Sequence, residues 1–251
     1  ARVSYGAGTK TFREDRGLIR YLMRNEHTAP FEQVVLTFHV KAPLFVARQW
    51  LRHRTARVNE ISGRYSVMLS EFYVPAGEDI ALQSTSNRQG RDAEPVAPEQ
   101  QQEIAERLAQ EQERSYAVYE NLLEDGIARE LARINLPLSL YTELYWQMDL
   151  HNLFHFLKLR MDSHAQAEIR AFADAIFDVT RRVAPVACEA FEDYVLSSTR
   201  LSAAERKVLW RALGSGDAGG IPDALRVAAE EAGLGEKALS RLVAKLNEEE
   251  V

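Results

Sequence analysis

Residues 48–66, RQWLRHRTARVNEISGRYS, hold five arginines against one glutamate. This stretch restricts the fold more than any other. Guanidinium groups keep their charge at any ordinary pH, and crowded like charges repel unless an anion sits among them. A fold must either spread these side chains toward water and the chain's carboxylates, or gather them around a bound anion. The chain as a whole offers polyanions no general attraction: its formal net charge is -6 at pH 7, so the partner is chosen by local chemistry.

The 251 residues allow one or two domains with a full core. One cysteine, Cys188, cannot form an intramolecular disulfide and fits a reducing, cytoplasmic setting. No apolar run reaches 18 residues, so no membrane span is expected. The opening ARVSYGAG lacks the basic start and apolar run of a signal peptide. Its first residue is not methionine, which leaves room for a short leading segment.

Hydrophobic spacing predicts a helix over 15–26, from Leu18, Ile19, Leu22 and Met23. Alternation of Val34, Leu36, Phe38 and Val40 predicts a strand over 33–41. Pro43 suits the first turn of a helix over 44–54. Residues 64–75, rich in Tyr, Val and Phe, read as a second strand region, and 83–99 as a polar loop. A long charged helix is expected over 99–125, a short one over 129–134 ending near Pro137, and two more over 151–160 and 164–184. Pro185 should end or kink the last of these. Residues 138–148 fit strand or helix equally.

After residue 198 the character changes. Ser202-Ala-Ala-Glu205 is a capping box, GSGDAGG at 214–220 reads as a linker, and two short helices near 222–232 and 236–248 follow. The expected organisation is a domain over 1–198 and a helical C-terminal extension over 199–251. The mixture of strands and helices gives an α+β (mixed α/β) class.

On a helix over 44–54, Arg48, Gln49, Arg52 and His53 share one face, beside the apolar stripe of Leu44, Ala47 and Leu51. A cationic stripe on such a helix is expected to be half-buried and to need a carboxylate or phosphate in its planar fork. The following loop brings Asn59, Glu60, Ser62, Gly63 and Arg64 to the same anion, with Gly63 allowing close approach of backbone. The alternative is a surface helix whose arginines pair with Glu and Asp elsewhere. A nucleic-acid interface fits poorly with so compact a cluster in an acidic chain. No Walker lysine loop or dinucleotide fingerprint is present.

Arg52-His53-Arg54, seven residues and then Ser62 form an RHR-x7-S pattern, which resembles the signature of the flavin-dependent thymidylate synthases. TFHVKAPLFVARQWLRHR at 37–54, NEISGRYS at 59–66 and LRMDSHAQAEIR at 159–170 resemble that family too, in the expected order. The similarity runs from about residue 1 to 194.

The resemblance implies a central sheet flanked by long helices, in the fold of the thymidylate-synthase-complementing proteins. It implies an FAD-dependent methyltransferase that converts dUMP to dTMP. The carbon would come from methylenetetrahydrofolate and the reducing power from NADPH. It also implies a homotetramer whose active sites are shared between subunits, with no nucleic-acid partner. By motif match, Gln49, Arg52, Glu60, Ser62, Gly63, Arg64, Arg133 and Arg160 fall at dUMP-contacting positions. Arg52, His53, Arg54, Glu60, Asp149, His151 and His155 fall at flavin-contacting positions, with His164 nearby. Arg160 aligns with the arginine set against the uracil ring, where a guanidinium stabilises negative charge developing on N3 and O2. Two departures bear on the flavin contacts: Ala29 stands where relatives carry Ser or Thr, and Asp149 where asparagine is common.

Other readings of single residues are blander. Ser62 as a nucleophile would need a positioned base. His151 and His155 lack the Glu of a zinc helix, because Asn152 follows the first His, so a metallohydrolase ranks last and no metal is expected. His39 alternates onto the face opposite Leu36 and Phe38 and is read as structural. His27 is open between a folate or flavin contact and a bland role. Cys188 is read as core.

Overall fold

Alternation builds the central strand of the chain. In β5 (Tyr141–Asp149), Thr142, Leu144, Trp146 and Met148 are buried, each flanked by more exposed residues, the period-two pattern of a sheet covered on one face. β5 pairs antiparallel with β1 (Val35–Pro43) over the whole length, from Val35↔Asp149 to Pro43↔Tyr141. On its other edge it pairs with a short strand, β2 (Arg57–Glu60), giving the order β1-β5-β2. Position 138–148, open between helix and strand in the sequence, is therefore mostly strand.

The computed structural model describes residues 1–6, 8, 11–85, 89–212 and 223–247. These fall into two units, Ala1–Leu196 and Ser197–Val251.

In the first unit the inner sheet face is closed by helices. α1 (Phe12–Arg24) opens with a capping box between Thr11 and Glu14, and the four-residue α2 (Ala29–Glu32) follows. α3 (Leu44–Trp50) buries Val46, Ala47 and Trp50. α6 (Leu150–Arg160) buries Leu150, Leu153, Phe154, Phe156 and Leu157, and α7 (Ala167–Val183) buries Ile169, Ala173, Ile176 and Phe177. The spacing of three and four residues lines up one apolar face on each. Trp50 and Trp146 meet edge to face at 5.3 Å between centroids, and Phe156 lies 5.1 Å from one and 5.0 Å from the other. All three are fully buried.

Pro185 both ends α7 and starts α8 (Pro185–Phe191). Proline drives the residue before it out of the helical region while suiting the first turn of a new helix. α8 buries Cys188, as expected of a core residue. Arg16 and Arg20 of α1 pair with Glu189 of α8, at 2.6 Å and 2.9 Å.

A second cluster joins Met68, Tyr119, Ala132 and Leu140. Here α4 (Pro98–Glu124), the expected long charged helix, uses two tyrosines as handles on one backbone unit. Tyr119 Oη accepts from Met68 N at 3.1 Å, and Tyr116 Oη donates to Met68 O at 2.8 Å. α5 (Arg129–Ala132) runs into a 3-10 turn, Arg133–Asn135.

Four expectations change. The helix at 44–54 stops at Trp50, where burial of the indole and the departure of the chain toward β2 end it. Residues 57–60, read as loop, form an edge strand because β5 supplies the partner. Residues 64–75 form no strand; they make one isolated bridge, Phe72↔Leu140, just before β5, and Glu71 pairs with Lys41 of β1 at 2.5 Å. The polar stretch 83–99 contains a hairpin strand, β4 (Arg91–Pro95), paired with β3 (Ala81–Gln83).

The second unit is helical. The capping box at Ser202 and Glu205 is formed, with Ser202 N donating to Glu205 Oε2 at 2.8 Å. It opens α9 (Ala203–Ala212); α10 (Asp223–Glu231) and α11 (Glu236–Asn247) bury Leu225, Ala229, Leu239 and Leu246 among themselves. The expected linker at 214–220 lies outside the described residues. No helix among the described residues is long and apolar enough to cross a membrane.

Phe156→Ala should remove about 3–5 kcal/mol of stability, the usual range for opening a cavity of this size in a core. Denaturant titration followed by tryptophan fluorescence reads it directly. A loss below about 1 kcal/mol would show that the aromatic cluster is not the centre of the core.

Candidate active site

The early end of α3 rearranges the arginine cluster. Arg52 and His53 do not continue the helical face of Arg48 and Gln49. They lie in a turn closed by Arg52 N to Gln49 O at 3.3 Å and His53 N to Trp50 O at 3.0 Å. The expected stripe holds only in part: Gln49 and His53 are half-buried, but Arg48, Arg52 and Arg54 are exposed. Among the described residues no hydrogen bond or ion pair reaches the guanidinium of any of these three. Of the five arginines, only Arg64 meets a carboxylate among the described residues, Glu130 at 3.1 Å, while Arg57 donates to the Gln147 side chain at 3.2 Å. The reading in which carboxylates neutralise the whole cluster does not hold.

One group of predicted residues gathers where α3 meets the end of α6. Arg160 Nε donates to His53 Nε2 at 3.1 Å, and Arg160 Nη2 donates to the Gln49 carbonyl at 3.2 Å. The His53 ring meets Phe156 edge on at 4.9 Å and lies 6.0 Å from the ring of His155. Burial, then the charge of Arg160 and of His155, hold the His53 imidazole down at about 4. Burial lowers the Arg160 guanidinium as well. The Gln49 side chain donates to Gln166. Gln166 escaped the sequence reading as a site residue, although it sits inside the block LRMDSHAQAEIR; only the fold sets it beside Gln49.

A second group forms at the exit of β2. Gly63 is buried, and a Cβ there would come within 3.1 Å of both Arg133 Cδ and Met68 Sδ. The absence of a side chain is what lets the Ser62–Arg64 turn lie against Arg133, while the α4 tyrosines hold Met68 behind it. Ser62 Oγ accepts from Arg64 N at 3.3 Å. No base reaches that hydroxyl among the described residues, so nothing activates it as a nucleophile. Glu60, the last residue of β2, accepts from Thr142 Oγ1 at 2.6 Å.

The third group is the start of α6. Asp149 is its N-cap and accepts from Asn152 N at 2.9 Å and Asn152 Nδ2 at 2.7 Å. Thr55 Oγ1 in turn donates to Asn152 Oδ1 at 2.8 Å, so the residue after the RHR triplet is tied to the start of α6. A carboxylate in place of the common asparagine thus serves a cap, for which either side chain is suitable. His151, in the first turn, is half-buried. His164 lies apart: its backbone N and Nδ1 both lie 2.8 Å from Asp162 Oδ1. His27 is exposed, its ring 5.9 Å from that of Tyr21, and Ala29 begins α2. His39 pairs with Glu143 at 3.1 Å and stacks on Tyr145 at 4.7 Å, on the open face of the sheet.

The single chain does not bring all predicted residues together. Glu60 is in register with Leu144, five strand positions from Asp149 on β5, or roughly 17 Å along the strand. Among the described residues no hydrogen bond or ion pair links the Ser62–Arg133 group to the His53–Arg160 group. Nor do three or more His, Cys, Asp or Glu side chains come together as a metal site among them.

Comparison with known proteins identifies the family. The family model described as thymidylate synthase complementing protein matches residues 1–186. A flavin-dependent thymidylate synthase of Treponema denticola is 61% identical over 219 residues, covering 87% of this chain and 82% of that one. One from Thermus thermophilus is 49% identical over 246 residues, covering 98% and 86%. Among solved structures, a UMP/dUMP methylase from Streptomyces cacaoi bound with 5-Br dUMP superposes with a TM-score of 0.70. It is 34% identical, covering 77% of this chain and 86% of that one.

Asp149→Ala should cost about 1 kcal/mol through loss of the cap, whereas Asp149→Asn should change stability by only a few tenths. Thermal melts of both variants decide it: equal losses would show that the charge of the carboxylate, and not its capping geometry, is what α6 requires.

Proposed function

This chain belongs to the thymidylate synthase complementing protein family, and from that premise we infer that it reductively methylates dUMP to dTMP. FAD is the cofactor, methylenetetrahydrofolate the carbon donor and NADPH the reductant. The observation that carries the reading is the set of exposed guanidiniums, Arg48, Arg52 and Arg54, left without carboxylate partners beside the His53–Arg160 pair. An acidic chain with 37 Asp and Glu residues has ample means to neutralise them, and among the described residues none does.

That donor set fits an anionic dinucleotide cofactor. Arg52 and Arg54 can hold its pyrophosphate through charge-assisted hydrogen bonds of roughly 1.5–3 kcal/mol each. His53, Glu60, Asp149, His151 and His155 complete the flavin side. When bound, FAD supplies the relay of the carbon unit and the reducing hydride.

The protein's own groups handle the nucleotide. Arg64, Arg133, the Ser62 hydroxyl and backbone N–H groups around Gly63 bind the phosphate of dUMP, with Gln49, Arg52 and Glu60 orienting the nucleoside. Arg160 faces the pyrimidine and stabilises negative charge on N3 and O2 as C5 becomes nucleophilic. Cys188 takes no part: it is fully buried, and burial pushes its thiol up to about 11, far from the thiolate a nucleophile needs.

We place catalysis in residues 1–198, in the cytoplasm, and in a homotetramer with shared sites. The separation of the phosphate-binding group from the His53–Arg160 group within one chain supports sharing, since a site completed by a second copy needs no such contact inside the first. The extension 199–251 has no assigned role.

The purified protein should show the visible absorption of oxidised flavin, and dTMP should form only when dUMP, methylenetetrahydrofolate and NADPH are all supplied. A colourless protein that takes up no added FAD would overturn the reading. Light scattering should also find a species near four times the 28.4 kDa chain mass; a fully active monomer would rule out the shared site.

A further inference from the structure

Arg160 carries the charge that matters most in this reading, yet among the described residues no carboxylate holds it. Its two partners are neutral: the imidazole of His53 and the backbone carbonyl of Gln49. A guanidinium can only donate. His53 Nε2 must therefore present a lone pair, with the ring proton on Nδ1 and the ring uncharged.

The ring making this contact is itself held in place. It lies edge on to Phe156, and Phe156 sits between Trp50 and Trp146 at the centre of the core. The path from core to guanidinium runs through two aromatic contacts and one hydrogen bond. A free arginine has about 2 kcal/mol of side-chain rotamer entropy to lose, so fixing it in advance favours a productive approach to the ring.

The choice of a neutral acceptor has an electrostatic consequence. A carboxylate would hold the guanidinium as firmly, but its opposite charge would cancel much of the field that a developing anion feels. A neutral imidazole fixes the direction and leaves the charge uncompensated. Nε–H and one Nη2–H are engaged, which leaves three of the five guanidinium N–H groups for a ligand. Burial, then the charge of Arg160, keeps the imidazole neutral.

We propose that His53 is a positioning residue for Arg160, orienting the guanidinium toward the pyrimidine without neutralising it. The role rests on the dUMP reading above and is separate from any contact that His53 makes with flavin, for which its Nδ1–H stays available.

The test is a double-mutant cycle on dUMP affinity, measured by calorimetry with FAD-loaded full-length protein. His53→Phe keeps an aromatic ring against Phe156 and removes the acceptor. His53→Gln places an amide oxygen near the position of Nε2. In the otherwise unaltered protein His53→Phe should weaken dUMP binding about tenfold, and His53→Gln should restore most of it. In an Arg160→Ala background His53→Phe should change affinity by less than about twofold, because there is no guanidinium left to position. Equal losses in both backgrounds, no recovery with His53→Gln, or loss of FAD with dUMP affinity unchanged would each overturn the proposal. Melting curves report folding, and His53→Met takes the place of His53→Phe if the latter does not fold. A parent protein that binds no dUMP would remove the functional reading, and this inference with it, whereas binding with an additive cycle would remove the inference alone.

Discussion

The packing of Trp146 against Trp50 and Phe156 joins the three elements on which the rest of the first unit depends. Trp146 belongs to the central strand β5, Trp50 ends α3, and Phe156 lies in the middle of α6. One apolar contact thus sets the sheet, the helix before the arginine turn and the helix carrying Arg160 in a single arrangement. Aromatic side chains are suited to this because each buries a large area with few rotatable bonds. The polar group above them, His53 and Arg160, takes its position from this base.

Charge is distributed in a way that burial alone would not produce. The chain is acidic overall, yet its densest run of arginines is left largely without carboxylates. Elsewhere the same residue types do pair: Arg16 and Arg20 with Glu189, and Arg91 with Asp79 at 3.0 Å and with Glu168 at 3.3 Å. Exposed ion pairs contribute little to stability, so their omission around Arg48, Arg52 and Arg54 costs the fold little and leaves cationic groups free for an anionic ligand. The Gly63 turn follows the same logic with shape: a missing side chain permits the close approach of the Gly63 backbone to Arg133 and Met68.

Much of the architecture was legible from spacing. β1, α1, α4, α6 and α7 follow periods of two or three to four with enough residues to be unambiguous, and Pro185 marks the break between α7 and α8. The elements that were misread are those whose pattern is short or borrowed. β2 has one apolar residue, Val58, and is a strand because β5 offers a free edge. Residues 64–75 have strand-forming side chains but are held largely by side chains of other elements, among them Tyr116, Tyr119 and Gln112 of α4 and Lys41 of β1. β4 contains Asp92, Glu94 and Pro95, and its register comes from β3.

The sequence by itself determined the chemistry available: five arginines in a short run, a glycine before Arg64, an aspartate where relatives commonly carry asparagine and a cysteine in an apolar helix. Family motifs in those residues were readable because residue type and order survive without coordinates. Tertiary structure alone decided which of them meet. Arg160 and His53 are 107 residues apart in sequence, and their contact exists because two helices share one aromatic core. That Arg52 leaves the helical face, and that Ser62 and Arg160 belong to separate groups, follow from long-range packing and strand register. Neither local propensity nor spacing carries that information, since both describe only neighbours along the chain.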